Sequence, residues 1–170
     1  MSEQGLDHQI DNYQPVAVTP EKLGRNKAGL KAYLGAVHDT DLDAIDALMT
    51  DDIVIELPFN ESGKTDQASY RIYRGKAEVR AFWAEAFKSE GELHGLSEAD
   101  VTMTGDGSRV FLEFRGHLTM RSGKEYRNRY VMRVDLVDGK VSRCKEYYNP
   151  IQSAYAFGRL VAGKHMLESL

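Results

Sequence analysis

One carboxylate stands out by its neighbours. Asp138-Gly139 is a turn signal, Lys140 to Tyr148 alternates as a strand, and Asn149-Pro150 stops it. Glu146 lies near the end of that strand, between Lys145 and two tyrosines. A glutamate there is either a solvated edge charge or an acid held out of water. Burying a carboxylate is costly unless it is paired or protonated. The usual response is a raised proton affinity, which makes the group a general acid or base near neutral pH. The competing role is a structural salt bridge to Arg115.

Other residues could share that chemistry. Glu56, in Ile53-Val54-Ile55-Glu56-Leu57-Pro58-Phe59, is a second strand carboxylate, either a pocket acid or an edge charge that discourages aggregation. Glu113, Arg115 and His117 combine both charge signs and a titratable ring at alternate positions. They could orient Glu146, bind an anionic substrate or shuttle a proton, or form a structural ion pair and a core histidine. Tyr126, Asn128, Tyr130 and Tyr148 are possible donors to a developing oxyanion, or plain packing groups. Phe82 and Trp83 read as pocket wall or core.

These residues need elements to position them. Thr19-Pro20-Glu21 is a cap, a first-turn proline and an acidic first turn, and opens a helix over 20–38. Gly24, Gly29 and Gly35 weaken it by roughly 1 kcal/mol each. Asp41 caps a helix over 42–49, a strand runs 53–59, a polar loop covers 60–70, and an amphipathic helix spans 76–88. Residues 91–95 connect to strands over 97–105, 109–120, 125–137 and 140–148, separated by glycine turns. A weak helical tail covers 151–168. Helices early and strands late predict an α+β fold, a curved antiparallel sheet over N-terminal helices. The division is a loose arm over 1–18, one domain over 19–158 and a tail over 159–170.

Composition excludes several classes. The chain has 170 residues, 42% hydrophobic and 28% charged, enough for one domain with a core. Its net charge is −4 with scattered Lys and Arg, which is no nucleic-acid footprint. No apolar run has membrane-spanning length, and the polar N-terminus is unlike a signal peptide. With the single cysteine, Cys144, this predicts a cytoplasmic protein. No His/Cys/Asp set has metal-ligand spacing, and no phosphate loop or nucleophile motif is present. No metal or cofactor is expected.

In their order along the chain, Glu56-Leu57-Pro58-Phe59, Tyr73-Arg74-Gly75-Lys76-Ala77, Asp138-Gly139-Lys140 to Asn149-Pro150 and Ala156-Phe157-Gly158 carry a resemblance. The chain resembles the NTF2-like (ketosteroid-isomerase-like, SnoaL-like) superfamily over about 20–158. Gly116-His117, Tyr126-x-Asn128 and Lys145-Glu146-Tyr147 look most like the phenazine-biosynthesis A/B proteins, which carry a catalytic glutamate at the position of Glu146. A histidine and a serine that serve those proteins correspond here to Phe82 and Ala86. Limonene-epoxide hydrolases also place a carboxylate there; their Arg-x-Asp aligns with Glu113-x-Arg115, in swapped order.

The resemblance implies a conical fold around an apolar pocket. It implies that Arg109, Phe111, Glu113, Arg115, His117 and Thr119 line that pocket. The even face, Val110 to Met120, would then be covered by a second subunit in a homodimer. It implies a cofactor-independent isomerase, cyclase, dehydratase or condensing enzyme acting on a small hydrophobic carbonyl compound in secondary metabolism. The alternative is a binding protein with the same pocket.

Overall fold

The computed structural model describes residues 13–15 and 17–161. Helix α1 is Pro20–His38, with the Thr19 hydroxyl accepting from the Lys22 amide at 3.4 Å. Asp41 caps α2, Leu42–Ala47, by accepting from the Asp43 and Ala44 amides at 3.1 and 3.0 Å. Then follow β1 (Met49–Leu57), a short 3-10 turn (Gln67–Ser69), β2 (Arg71–Arg74) and α3 (Gly75–Ser89). The chain continues as β3 (Glu90–Met103), β4 (Arg109–Met120), β5 (Glu125–Val137), β6 (Lys140–Tyr148) and α4 (Pro150–Phe157).

The six strands form one curved sheet in the order β2-β1-β6-β5-β4-β3. The α+β reading holds, with one correction to the sheet: β1 pairs with β6 in parallel, so the sheet is mixed. The antiparallel reading failed because hairpin signals report only sequential pairs, and β1 and β6 meet through the whole chain. Strand β2 lies where the sequence shows only a loop and a helix entry. The connection expected over 91–95 belongs to β3, whose pairing with β4 carries three register shifts that curl the sheet edge. Helix α4 ends at Phe157, where Gly158 takes a left-handed φ of 67°. Most of the N-terminal arm and of the tail expected over 159–170 falls outside the described residues.

The concave face of the sheet packs on the helices. Tyr33, Ile45, Met49, Ile53, Val79, Val110, Val134 and Val141 are its most deeply buried side chains. Asn26 anchors α1 to two turns: its amide donates to the Asp106 carbonyl at 3.1 Å and accepts from the Gly139 amide at 2.9 Å. Asp106, wholly buried, pairs with Lys22 at 2.7 Å and accepts from Thr104 and Ser108. Burial alone would raise its pKa, but these donors hold the carboxyl well below its usual range. Helix and sheet are thereby locked at one end, leaving the other end free to open a cavity.

Candidate functional site

The cavity lies between the concave sheet and α1 and α3 and has a volume of about 1290 Å³. Its wall is mostly apolar: Leu57, Phe82, Trp83, Phe87, Phe114 and Met132 all contribute. Phe82 stacks obliquely between Tyr73 and Trp83, with ring centroids at 4.6 and 5.0 Å. Register builds the sheet side row by row. Glu146 pairs with Met132 and that with Leu112, while Tyr148, Tyr130 and Phe114 form the next row. Gly116 makes room there, since a Cβ would meet the Tyr130 ring at 3.1 Å.

Glu146 enters this cavity from β6, flanked on the same face by Cys144 and Tyr148. Among the described residues no side chain or amide hydrogen-bonds its carboxylate. Its partial exposure is toward the cavity rather than open solvent. Removal from water and, second, the negative charge of Glu90 push its pKa up to about 7, with Arg71 pulling weakly the other way. Glu90, at the junction of α3 and β3, also lines the cavity, and burial raises its pKa too. Two acids shielded from water therefore share one apolar space, while Glu78 and Glu85 border it from exposed positions.

Hydroxyl donors surround Glu146. Trp83 Nε1 donates to the Tyr33 hydroxyl at 3.2 Å, which leaves the Tyr33 proton free to be donated into the cavity. Burial, then the nearby Cys144 and Glu146, keep that hydroxyl protonated. Burial likewise raises the Tyr126 and Tyr130 hydroxyls. Tyr148 is pushed up to about 12 by burial, despite the short hydrogen bond it accepts from Arg71. Arg71 is itself braced by Glu61 at 3.3 Å, and Glu61 also takes Arg159 at 3.1 Å. This places the Arg71 guanidinium at the cavity wall, which Arg121 and Arg159 also border.

Several expected site residues lie elsewhere. Glu113, Arg115 and His117 do not line the cavity, and the face implied for β4 is reversed. Its even side chains, Val110 to Met120, face the core and cavity; its odd ones face outward. The physical reason is desolvation: an apolar row is stable inside, whereas these charges keep water and partners outside. Arg115 pairs with Glu98 at 2.8 Å, and His117 with Glu125 at 2.5 Å. Glu113 borders a shallow outer depression with Tyr147 and Arg129.

Glu56 is also outside the cavity. Its buried carboxylate takes Arg143 at 2.6 Å and Lys145 at 3.4 Å across the parallel β1–β6 pair. Burial pushes its pKa up, but the Arg143 hydrogen bond and the two positive charges outweigh this and hold it low. Asn128 spends its side chain on structure, donating to Tyr126 and to the Asn149 carbonyl, both at 3.0 Å, and accepting from the Asn149 amide at 2.9 Å. It supports Tyr126 and the start of α4 rather than offering an oxyanion donor. Tyr33, Arg71 and Glu90 are among the cavity groups that sequence patterning did not single out. Tyr33 carried a weak signal, three residues after Leu30 on the buried face of α1.

Glu56→Gln is expected to lower stability by about 1–3 kcal/mol at neutral pH, because two cations lose their buried partner. Its folded pKa lies below the unfolded one. The Glu56 contribution is thus present above the ordinary carboxylate range and lost as the pH falls through the folded pKa. Denaturant melts from acid to neutral pH check this: wild type and variant converge in acid.

A curved sheet wrapped over helices around a large apolar cavity defines the NTF2-like class. Within it, the chain belongs to the SnoaL-like domain family, whose family model matches residues 30–144. Three solved structures share the fold. A candidate isomerase from Bacillus subtilis is 21% identical, with a TM-score of 0.68 over 82% of this chain and 97% of its own. A phenazine biosynthesis-related protein from Pseudomonas aeruginosa is 22% identical, with a TM-score of 0.66 over 90% and 93%. A candidate polyketide cyclase from Xanthomonas campestris is 21% identical, with a TM-score of 0.62 over 79% and 98%. Likeness at this identity concerns the fold.

Proposed function

We propose that this protein is a cofactor-independent enzyme that isomerises or cyclises a small hydrophobic carbonyl compound, with Glu146 as general acid/base. The carrying observation is an unpaired carboxylate in a 1290 Å³ apolar cavity, with its pKa raised to about 7. A base poised there is half ionised at neutral pH and strong enough to take a proton next to a carbonyl. The enolate oxygen then needs a donor, and Tyr33 and Tyr130 carry protonated hydroxyls on the cavity wall. Returning the proton from Glu146 to another carbon completes an isomerisation; attack of the enolate on a second carbonyl closes a ring. The isomerase and cyclase among the structural neighbours favour the same reaction class.

Phe82 and Ala86 on the cavity face of α3 are not titratable, and the α3 charges that border the cavity, Glu78, Glu85 and Lys88, are exposed. That observation favours a second reading, a protein that binds such a compound without converting it. Incubation with a panel of cyclic and polycyclic ketones, followed by mass spectrometry and NMR of the recovered ligand, separates the two. The enzyme reading expects a rearranged product or exchange of an α-hydrogen for deuterium. Tight retention of unchanged, unexchanged ligand supports the binding reading. We further place the protein in the cytoplasm, where the free, buried Cys144 stays reduced. Two copies would meet through the convex sheet, where Phe111 and Val131 are exposed.

A further inference from the structure

Three consecutive, paired strands bring two imidazoles and a carboxylate together outside the cavity. His94 is on β3, His117 on β4 and Glu125 at the start of β5, and one ligand atom from each lies within 4.8 Å of the other two. The two rings lie side by side with centroids 4.5 Å apart. His117 presents Nε2 to Glu125 at 2.5 Å, and His94 presents Nε2 to the Thr119 hydroxyl at 2.7 Å. That hydroxyl donates to the other Glu125 oxygen at 2.8 Å. Both imidazole Nε2 atoms and both carboxylate oxygens thus converge on one small space. Sequence spacing carried no sign of it, because the ligands are 23 and 8 residues apart and only strand pairing aligns them.

We propose that His94, His117 and Glu125 form a binding site for a zinc-class divalent transition metal. Two histidines and one carboxylate are a ligand set that zinc takes with a water in the fourth position. Tetrahedral zinc at its usual bond lengths needs ligand atoms about 3.3 Å apart. The longest side of the present triangle, at most 4.8 Å, must therefore close by up to about 1.5 Å and the 2.5 Å His117–Glu125 side must open by roughly 0.8 Å, both within reach of side-chain rotation at partly exposed positions. The shell behind the ligands also fits. Glu92 lies 3.8 Å from His94 Nδ1, where a carboxylate would fix the ring with Nε2 toward the metal. Arg127, 3.5 Å from Glu125, pairs with that carboxylate through a side chain that is mostly exposed.

Metal there would cross-link the edge strand β3 to β4 and β5. Strand β3 also supplies Glu90, Leu93 and Leu96 to the cavity wall, so the tie would fix that wall. Exposed Phe111 lies six residues from His117 along β4, roughly 20 Å away, so the site is separate from the apolar patch assigned to subunit contact.

The test is calorimetric titration of the tag-free full-length protein with Zn²⁺, with Co²⁺ absorption as a readout of geometry. One Zn²⁺ per chain is expected, with tetrahedral Co²⁺ bands and an upward shift of the unfolding midpoint. His94→Ala and His117→Ala should each weaken binding at least tenfold and remove the bands, and Glu125→Gln should weaken it less. His38→Ala, at an exposed histidine paired with Asp39, should leave metal binding unchanged. Circular dichroism of the variants separates lost ligation from lost folding. Substoichiometric uptake, or uptake and bands unchanged in both histidine variants, means adventitious binding only and overturns the proposal.

Discussion

Glu146→Gln is expected to lower turnover of a converted substrate by about 10²–10⁴-fold, the usual worth of a positioned general base. It is also expected to make the protein more stable above pH 7. The folded-state pKa, about 7, lies above the ordinary value of 4.5. The unfolded chain therefore releases this proton first. Below about pH 4.5 both states are protonated and the carboxyl carries no penalty. As the pH rises toward 7 the penalty grows, reaching about 3 kcal/mol at 1.36 kcal/mol per pH unit. Glutamine has no charge to lose, so the gap between variant and wild type should open over that window and then stay constant. Chemical denaturation at pH 4, 6 and 8 measures it. A variant less stable at every pH would show that Glu146 holds the fold through a partner. Full turnover by a folded variant would remove it from the mechanism. With wild-type enzyme, kcat/KM for a step limited by proton abstraction should rise with pH and level off just above 7.

The second large effect separates three glycines of one helix. Gly29→Ala should destabilise the protein by about 3 kcal/mol or more, as overpacking against rigid backbone does. A Cβ at Gly29 would lie 1.8 Å from the Gly139 carbonyl oxygen, in the turn that Asn26 also grips. No side-chain rotation relieves a clash with backbone, so α1 must lift off the sheet. At Gly24 and Gly35 an added Cβ would have nothing within 4 Å, and both have ordinary helical φ. Alanine at either should stabilise by roughly 0.5–1 kcal/mol through the unfolded chain's entropy and helix propensity. Thermal melts of the three single variants test the contrast. Three similar results would mean that helix propensity alone matters in α1, contrary to the close approach at Gly29.

Local chemistry explains which parts of this fold were readable. The Thr19-Pro20 and Asp41 caps start the first two helices where expected, because a cap acts within one turn. Asp138-Gly139 and Asn149-Pro150 bound the strand of Glu146 for the same reason. Period-two alternation correctly sorted β4 and β5 into faces. It could not say which face of β4 looks inward, since Glu113, Arg115 and His117 suit a polar pocket as readily as an outer surface. Nor could it find the parallel β1–β6 pairing that gives Glu56 its two cations outside the cavity.

Residues close together in the chain were thus enough to define most of the elements, the family resemblance and Glu146 as the leading acid. The rest was settled only when the strands came together. Tertiary structure sent Glu113, Arg115, His117 and Glu56 to the outer face, brought Tyr33, Arg71 and Glu90 to the cavity, and placed His94 beside His117 and Glu125. Those placements depend on the order and curvature of six strands, and charges separated in sequence sort themselves by the cost of leaving water.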